Sequence, residues 1–154
     1  MLRIQSAPLV TEPALTLLEG DAPAIGAVCS FTGLARDLGD HSGVESLFLE
    51  HYPGMTEAAI QDVIEKAAQR WAIHRTAVLH RVGEIQAAER IVFVGVSSRH
   101  RQEAFEACQF IMDYLKTSAP FWKKEITADG EGEWVEQKVS DREAALRWSD
   151  SDSA

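Results

Sequence analysis

Residues 97–125 constrain the fold of this chain more than any other segment. The segment reads SSRHRQEAFEACQFIMDYLKTSAPFWKKE, and its apolar residues recur at intervals of three and four, the period of a helix that buries one face. These residues are Ala104, Phe105, Cys108, Ile111, Met112 and Leu115. The spacing predicts an amphipathic helix that begins near Ser98 and is followed by an extended Pro-Phe-Trp segment. Any fold of the chain must therefore provide an apolar surface for this helix.

The start of the predicted helix carries three basic side chains, Arg99, His100 and Arg101. Cations at a helix N-terminus oppose the helix dipole by a few tenths to about 1 kcal/mol each, so stability alone does not explain them. Together with the free backbone N–H groups of the first turn, they would suit a bound phosphate. The alternative is that the two arginines pair with surface acids, and both interpretations remain open from the residues alone.

The overall charge makes this basic cluster more informative. The chain has 15 Lys and Arg against 24 Asp and Glu, which gives a net charge of −9. Even so, the segment from Arg99 to Lys124 contains two arginines, three lysines and His100. Binding of duplex nucleic acid requires a broad cationic face, which is not expected in so acidic a chain. A local basic pocket in an acidic protein instead predicts a small anionic ligand.

Length and composition are typical of one ordinary globular domain. The chain has 154 residues, of which 45% are hydrophobic and 25% charged, so it is long enough to bury a core. We expect a single domain over residues 1–148 and a disordered tail over residues 149–154. No apolar run reaches the length of a membrane span, and the N-terminal residues show no signal-peptide pattern. Two cysteines within apolar patterns are typical of reduced thiols, so we expect a cytoplasmic protein.

The two cysteines, Cys29 and Cys108, both lie within apolar patterns. This setting favours structural thiols over a reactive thiolate, which requires partial exposure and a lowered pKa. The five histidines are scattered and no CxxC pair occurs, so no metal site is predicted.

The remaining patterns predict an α+β fold with a mixed or antiparallel sheet and packed helices. Strands are expected over residues 1–10 (an edge strand), 24–31 (a buried strand), 44–51, 76–82 and 91–97, with a hairpin around Asp129-Gly130. Further helices are expected over residues 12–19, 56–71 and 140–148, with Thr11, Thr56 and Ser140 as N-caps. A long loop, TGLARDLGDHSG, carries Arg36, and loops of this length are usually functional or disordered.

Two lysines flank the aromatic segment and are candidates for acid–base chemistry. Lys116 ends the helix, where a cation also has a structural role because it complements the dipole. Lys123 follows Trp122, and a lysine beside aromatic rings can lose solvation, so that its pKa falls. The alternative is a side chain that extends along the surface into water. Lys124 would point to the opposite face of a strand, so only one of these neighbours is expected to face a pocket.

Several segments, in order along the chain, resemble the large, catalytic subunit of molybdopterin synthase, the MoaE family. The matching segments are GAVCSFTGLARD (26–37), LEHYPGMTE (49–57), HRVGE (80–84), SSRHRQEAFEAC (97–108), DYLKTSAPFWKKE (113–125) and WVE (134–136). The match runs from about residue 24 to Trp148, and several motifs in the same order are more specific than any single one.

The resemblance implies a hammerhead-like α+β fold and a sulfurtransferase of molybdenum cofactor biosynthesis. Such enzymes insert two sulfur atoms into a cyclic pyranopterin monophosphate and so form the dithiolene of molybdopterin. The sulfur arrives as a thiocarboxylate on the C-terminal Gly-Gly of a small ubiquitin-like subunit, and the large subunits form homodimers with a small subunit at each end. Since the partner supplies the sulfur, neither a catalytic thiol nor a cofactor is expected. We expect the partner's tail to pair with a strand edge at residues 123–126.

The resemblance also implies roles for individual residues. The family's essential lysines match Lys116 and Lys123, which are the expected catalytic residues. The expected substrate-binding residues are Arg36, His100, Arg101, Phe31, Met112 and Lys138.

Lys138 departs from the family pattern. It falls on a basic position that is thought to act across the dimer and is more usually arginine, and lysine cannot form the bidentate fork of a guanidinium.

Two other classes of function compete with this interpretation. One is a non-catalytic anion-binding or scaffold protein of the same fold, which retention of both lysines together with His100 and Arg101 disfavours. The other is a nucleic-acid-binding module, which the charge of −9 disfavours.

Overall fold

The computed structural model describes residues 1–36, 43–130 and 132–149. The elements follow the chain as β1 (Leu2–Gln5), α1 (Glu12–Glu19), β2 (Ala27–Leu34), β3 (Val44–His51), α2 (Met55–Arg70), β4 (Ile73–Arg81), β5 (Gly83–Gln86), β6 (Arg90–Ser98), α3 (Arg101–Thr117), β7 (Phe121–Thr127), β8 (Gly132–Val135) and α4 (Val139–Leu146). The strands form two four-stranded sheets, and helices pack on the first, so the α+β class is confirmed. Residues 37–42 of the predicted loop and residues 150–154 of the predicted tail lie outside the described residues.

The first sheet has the strand order β1-β4-β6-β2. β1 runs parallel to β4, and the other neighbouring strands are antiparallel. Helices α2 and α3 cover one face of this sheet, where Val78, Val94 and Val96 meet Ile60 and Phe110 in the main core. Helix α1 covers the other face through Leu18. The central strands are buried on both faces, which explains why the sequence of β6 is apolar without alternation.

A glycine allows α1 to lie close to the sheet. A Cβ atom placed on Gly95 of β6 would lie 2.3 Å from Cδ1 of Leu18. Any side chain at this position would push α1 away from the sheet.

The second sheet has the strand order β5-β3-β7-β8 and is antiparallel throughout. Strand β7 lies between β3 and β8, with Lys123 opposite Leu49 on one side and Val135 on the other. The expectation that residues 123–126 offer a free edge to a partner's tail is therefore wrong, because both edges of β7 are already paired. The four-residue strand β5, which pairs with β3, was not predicted.

Strand β2 is the outermost strand of its sheet, so the prediction of a buried strand is wrong. Its residues Val28, Phe31 and Leu34 are 36%, 45% and 55% exposed. Apolar composition predicted burial, but strand order placed these side chains at the outside of the molecule.

Two predicted helix caps are also wrong. Helix α2 is capped by Gly54, whose N–H donates to Oε2 of Glu57 at 2.6 Å, and Thr56 lies inside the helix. Helix α4 begins at Val139, so Ser140 lies within its first turn. Thr11 does occupy the N-cap position of α1, although its hydroxyl makes no capping hydrogen bond. Local sequence patterns located these helices but not the groups that cap them.

Candidate functional site

A cleft of about 840 Å³ lies between the C-terminal end of α3, the inner face of β3 and β7, and the start of α4. Basic side chains predominate among the charged residues that line it. These are Arg36, Lys116, Lys123, Lys138 and Arg142, with the acids Glu125, Glu136 and Asp141 between them. Leu49, Met112 and Phe121 contribute apolar surface. The cleft therefore combines several cations with an apolar wall, which suits an anionic organic ligand.

The two lysines reach the cleft from consecutive elements. Lys116 lies in the last turn of α3, and Lys123 is the third residue of β7. Strand alternation directs Lys123 to the inner face of the sheet and Lys124 to the outer face, where Nζ of Lys124 lies 5.7 Å from the ring centroid of Trp134. The prediction that only one of these neighbours faces the pocket is confirmed.

The cleft lowers the pKa of Lys116 below its ordinary value. The side chain reaches solvent through the open cleft, yet surrounding protein restricts hydration of its ammonium group, and this burial is the largest cause. Asp141 opposes the shift, whereas the charges of Lys123, Lys138 and Arg36 increase it. Lys116 thus releases a proton more readily than a solvated lysine, which favours acid–base chemistry.

Five of the eight predicted site residues line this one cleft: Arg36, Met112, Lys116, Lys123 and Lys138. The other three do not. His100 and Arg101 lie at the opposite end of α3 from Lys116, roughly 22 Å along the helix axis. Phe31 is exposed on β2, outside the lining of the cleft. Within one copy of the chain, the predicted phosphate cluster and the lysines are therefore separate.

Two buried polar residues of the cleft were missed by the sequence analysis, Glu125 and His80. Glu125 is 2% exposed and shares the inner face of β7 with Lys123, so strand alternation could have identified it. His80 lies at the end of β4, within the HRVGE segment, where its burial could not be foreseen from local pattern.

His80 is held as a neutral ring. Its Nδ1 lies 2.8 Å from the carbonyl oxygen of Arg81, and since a carbonyl only accepts, Nδ1 carries the hydrogen. The pKa of His80 is lowered to about 4, and burial is the largest cause. The hydrogen bond to the Arg81 carbonyl opposes this shift, whereas the charges of Lys116 and His51 increase it. The ring stacks on Phe121 with a centroid distance of 3.8 Å and an interplanar angle of 15°.

The cysteines lie away from the cleft. Cys108 is buried, and its thiol donates to the carbonyl oxygen of Val94 at 3.6 Å. Burial, with Cys29 nearby, raises the pKa of the Cys108 thiol well above its ordinary range. A thiol in this state is a poor nucleophile, which agrees with the structural role predicted for it.

The described part of the chain contains no group of three or more His, Cys, Asp or Glu side chains placed to hold a metal ion. Among the helices of those same residues, none combines the length and apolarity that crossing a membrane would need.

Comparison with known proteins shows which family the chain resembles. The family described as MoaE protein matches residues 4–118. The chain is 50% identical over 149 residues to the molybdopterin synthase catalytic subunit of Pseudomonas aeruginosa, covering 97% of this chain and 99% of that relative.

Solved structures agree with the sequence comparisons. The molybdopterin biosynthesis MoaE protein from Burkholderia ambifaria is similar with a TM-score of 0.81 at 43% identity, over 96% of this chain and 97% of that one. A complex of subunits 1 and 2 of the molybdopterin-converting factor from Helicobacter pylori includes a chain with the same fold, at a TM-score of 0.74 and 19% identity, over 89% and 91% of the two chains. On these matches, the chain belongs to the MoaE protein family.

Proposed function

We propose that this chain is the catalytic subunit of a molybdopterin synthase. In this role it transfers sulfur from the thiocarboxylated C-terminus of a small ubiquitin-like subunit to cyclic pyranopterin monophosphate, forming the molybdopterin dithiolene. The observation that carries the proposal is the convergence of Lys116 and Lys123 in one cleft, in a chain 50% identical to a catalytic subunit over nearly its full length. The predicted cytoplasmic location and the single domain over residues 1–148 belong to the same proposal.

The lysines act on the thiocarboxylate end of the partner's tail. Negative charge develops on the terminal carbonyl oxygen while sulfur is transferred, and an ammonium group within a partly enclosed cleft stabilises that charge more than water would. The lowered pKa of Lys116 also makes it a better proton donor than a solvated lysine. Arg36, on the same cleft, supplies a fixed positive charge for the substrate's anionic groups.

The small subunit is the partner that this chemistry requires. Among the cysteines of the described residues, Cys108 is buried with a raised pKa and Cys29 packs against the same core, which supports a sulfur donor other than this chain. The Helicobacter pylori complex, in which two subunits assemble around this fold, motivates the same assignment.

A homodimer accounts for the separation of the two basic groups. The end of α3 that carries His100 and Arg101 cannot reach the cleft of its own copy, but the corresponding end of a second copy could complete it. Strand β2 is the surface we assign to this contact. Among the described strands none pairs with the outer edge of β2, whose exposed side chains include apolar ones. Phe105 of α3 adds another exposed apolar side chain, with 61% of its surface accessible. Natural proteins rarely leave such an edge uncovered.

Reconstitution tests the function directly. The purified chain is mixed with thiocarboxylated small subunit and cyclic pyranopterin monophosphate, and the dithiolene product is measured. The Pseudomonas aeruginosa relative serves as the positive control under the same conditions. We expect comparable product formation. If the relative is active and this chain binds both components without forming product, the chain is instead a non-catalytic binding or scaffold protein.

A further inference from the structure

The two cleft lysines are joined by a very short connection. Helix α3 ends at Thr117 and β7 begins at Phe121, so residues 118–120 alone link the last turn that carries Lys116 to the strand that carries Lys123. The relative position of the two ammonium groups therefore depends on how firmly this connection is held.

A buried hydroxyl from α2 holds the connection at one point. Thr56 is fully buried, and its Oγ1 donates to the carbonyl oxygen of Pro120 at 3.0 Å. Oγ1 of Thr56 also accepts a hydrogen bond from the N–H of Tyr52 at 3.0 Å, which fixes the direction in which the hydroxyl donates. A threonine predicted to cap a helix is thus engaged with the segment between the two lysines.

A buried ring from β4 holds the next residue. His80 is 8% exposed, and its ring lies flat against the ring of Phe121. On the edge of the same ring, Nδ1 donates to the carbonyl oxygen of Arg81 at 2.8 Å. The ring lines the same cleft as Lys116.

We propose that His80 and Thr56 are positioning residues, which hold residues 118–121 so that Lys116 and Lys123 point into the same cleft. This proposal rests on the function proposed above. Neither residue needs to touch substrate. Displacement of a catalytic group by about 1 Å can cost a hundredfold in rate, so the two contacts matter for turnover as well as for packing.

The two properties of His80 can be separated by substitution. His80→Phe keeps a flat ring against Phe121 and removes the hydrogen-bond donor. His80→Gln keeps a donor and removes the ring. We expect the stack to be the property that matters, so His80→Phe should behave like the wild type. His80→Gln should lower kcat about ten- to a hundredfold, with little change in KM for the partner.

The pKa of Lys116 can be measured without turnover, so it tests the positioning of this lysine separately from the activity. The Lys116 ammonium signal of the isolated chain is assigned by its loss in Lys116→Arg. Its NMR titration should give a pKa below the ordinary value, because burial and the charges of Lys123, Lys138 and Arg36 lower it more than Asp141 raises it. In His80→Gln and in Thr56→Val this pKa should rise towards the ordinary value, because residues 118–121 are held less firmly and the Lys116 ammonium becomes better hydrated. In His80→Phe it should stay lowered.

Leu79→Ala is the matched control for general destabilisation. Leu79 is buried next to His80 on β4, and strand alternation directs it to the other face of the sheet, where it packs with Leu18 of α1. It should lower Tm while leaving kcat and the pKa of Lys116 unchanged. An unaltered pKa of Lys116 in folded His80→Gln and Thr56→Val would overturn the proposal, as would a loss of kcat in Leu79→Ala equal to theirs. A wild-type chain that is inactive contradicts the proposed function alone, since the NMR comparison still tests positioning.

Discussion

At the scale of single residues, the cleft depends on strand alternation and on the local electrostatic environment. Lys123 and Lys124 are adjacent in sequence, yet one lines the cleft and the other lies over Trp134 on the outer face of the sheet. Lys116 has a lowered pKa because surrounding protein and three other cations disfavour its charge. The same residue type therefore has three different environments within nine positions.

Removal of either cleft lysine should abolish most of the activity without unfolding the protein. Lys116→Ala and Lys123→Ala should each reduce single-turnover dithiolene formation by at least about a hundredfold, the usual loss for a group that stabilises developing charge or transfers protons. Lys124→Ala is the matched control and should retain activity. Thermal unfolding should be nearly unchanged in all three variants. Near-normal turnover in a cleft variant would exclude that lysine from the mechanism.

Burial of His80 in its neutral form should make the fold less stable in mild acid. Between pH 6.5 and about 4, unfolded His80 binds a proton and folded His80 does not, so acidification favours the unfolded state. The two pKa values correspond to a loss of about 3 kcal/mol across that range.

Denaturant unfolding at a series of pH values measures this loss, with His80→Phe as the control. The free energy of unfolding of the wild type should fall more steeply with acidification than that of the variant. Parallel curves for the two proteins would show that His80 is not the group responsible.

At the scale of elements, α4 is an important wall of the cleft that contributes no buried side chain of its own. It is held at its far end by Trp148. The indole Nε1 donates to Oδ2 of Asp113 at 2.8 Å, and the ring packs edge-on against Trp71 and Phe110 at centroid distances of 5.6 and 5.5 Å. Arg70 donates to the carbonyl of Trp148 at 2.9 Å. Trp148 therefore anchors the helix that carries Asp141 and Arg142.

Loss of this anchor should loosen α4 without loosening the sheets. Trp148→Ala should reduce hydrogen-exchange protection of residues 139–146, because local stability follows buried apolar contact and no residue of α4 itself is buried. Protection of β4 and β6, which lie in the main core, should be nearly unchanged. Trp134→Ala, at an exposed tryptophan on β8, is the control and should leave α4 protected. Equal loss of protection in α4 and β6 would instead mean that Trp148 supports the whole fold.

At the scale of the whole molecule, the proposed dimer makes each cleft depend on two copies of the chain. Lys116 would come from one copy and the His100–Arg101 end of α3 from the other, since roughly 22 Å separates them within a copy. The surface that we propose for this contact comprises the exposed apolar residues of β2 together with Phe105.

Mixing two inactive variants tests the shared cleft. Lys116→Ala and Arg101→Ala should each be inactive alone. After the chains are mixed and allowed to exchange, each heterodimer of a two-fold symmetric pair would contain one intact cleft, so about a quarter of wild-type activity should return. Sedimentation should confirm that the chains form dimers. If exchanged chains stay inactive, both residues serve the same copy or Arg101 has no part in the reaction.

Much of this architecture was accessible from the sequence, because it depends on local periodicity. The apolar spacing of residues 97–125 predicted α3, and alternation along β7 separated Lys123 from Lys124. Even the distance between Arg101 and Lys116 follows from the sequence, since a continuous helix with one residue at each end cannot bring both into one pocket of the same copy. The sequence also carried the family motifs and the two lysines.

Other features were decided only by the tertiary structure, because they depend on which elements become neighbours. Apolar composition could not distinguish an outer strand from a buried one, so β2 was misjudged. Thr56 has the pattern of a helix cap, but its hydroxyl binds a carbonyl 64 residues away. His80 becomes a neutral ring of the cleft only because β4 brings it against Phe121 of the other sheet. Local sequence determines which face a side chain occupies, whereas long-range packing determines what that face meets.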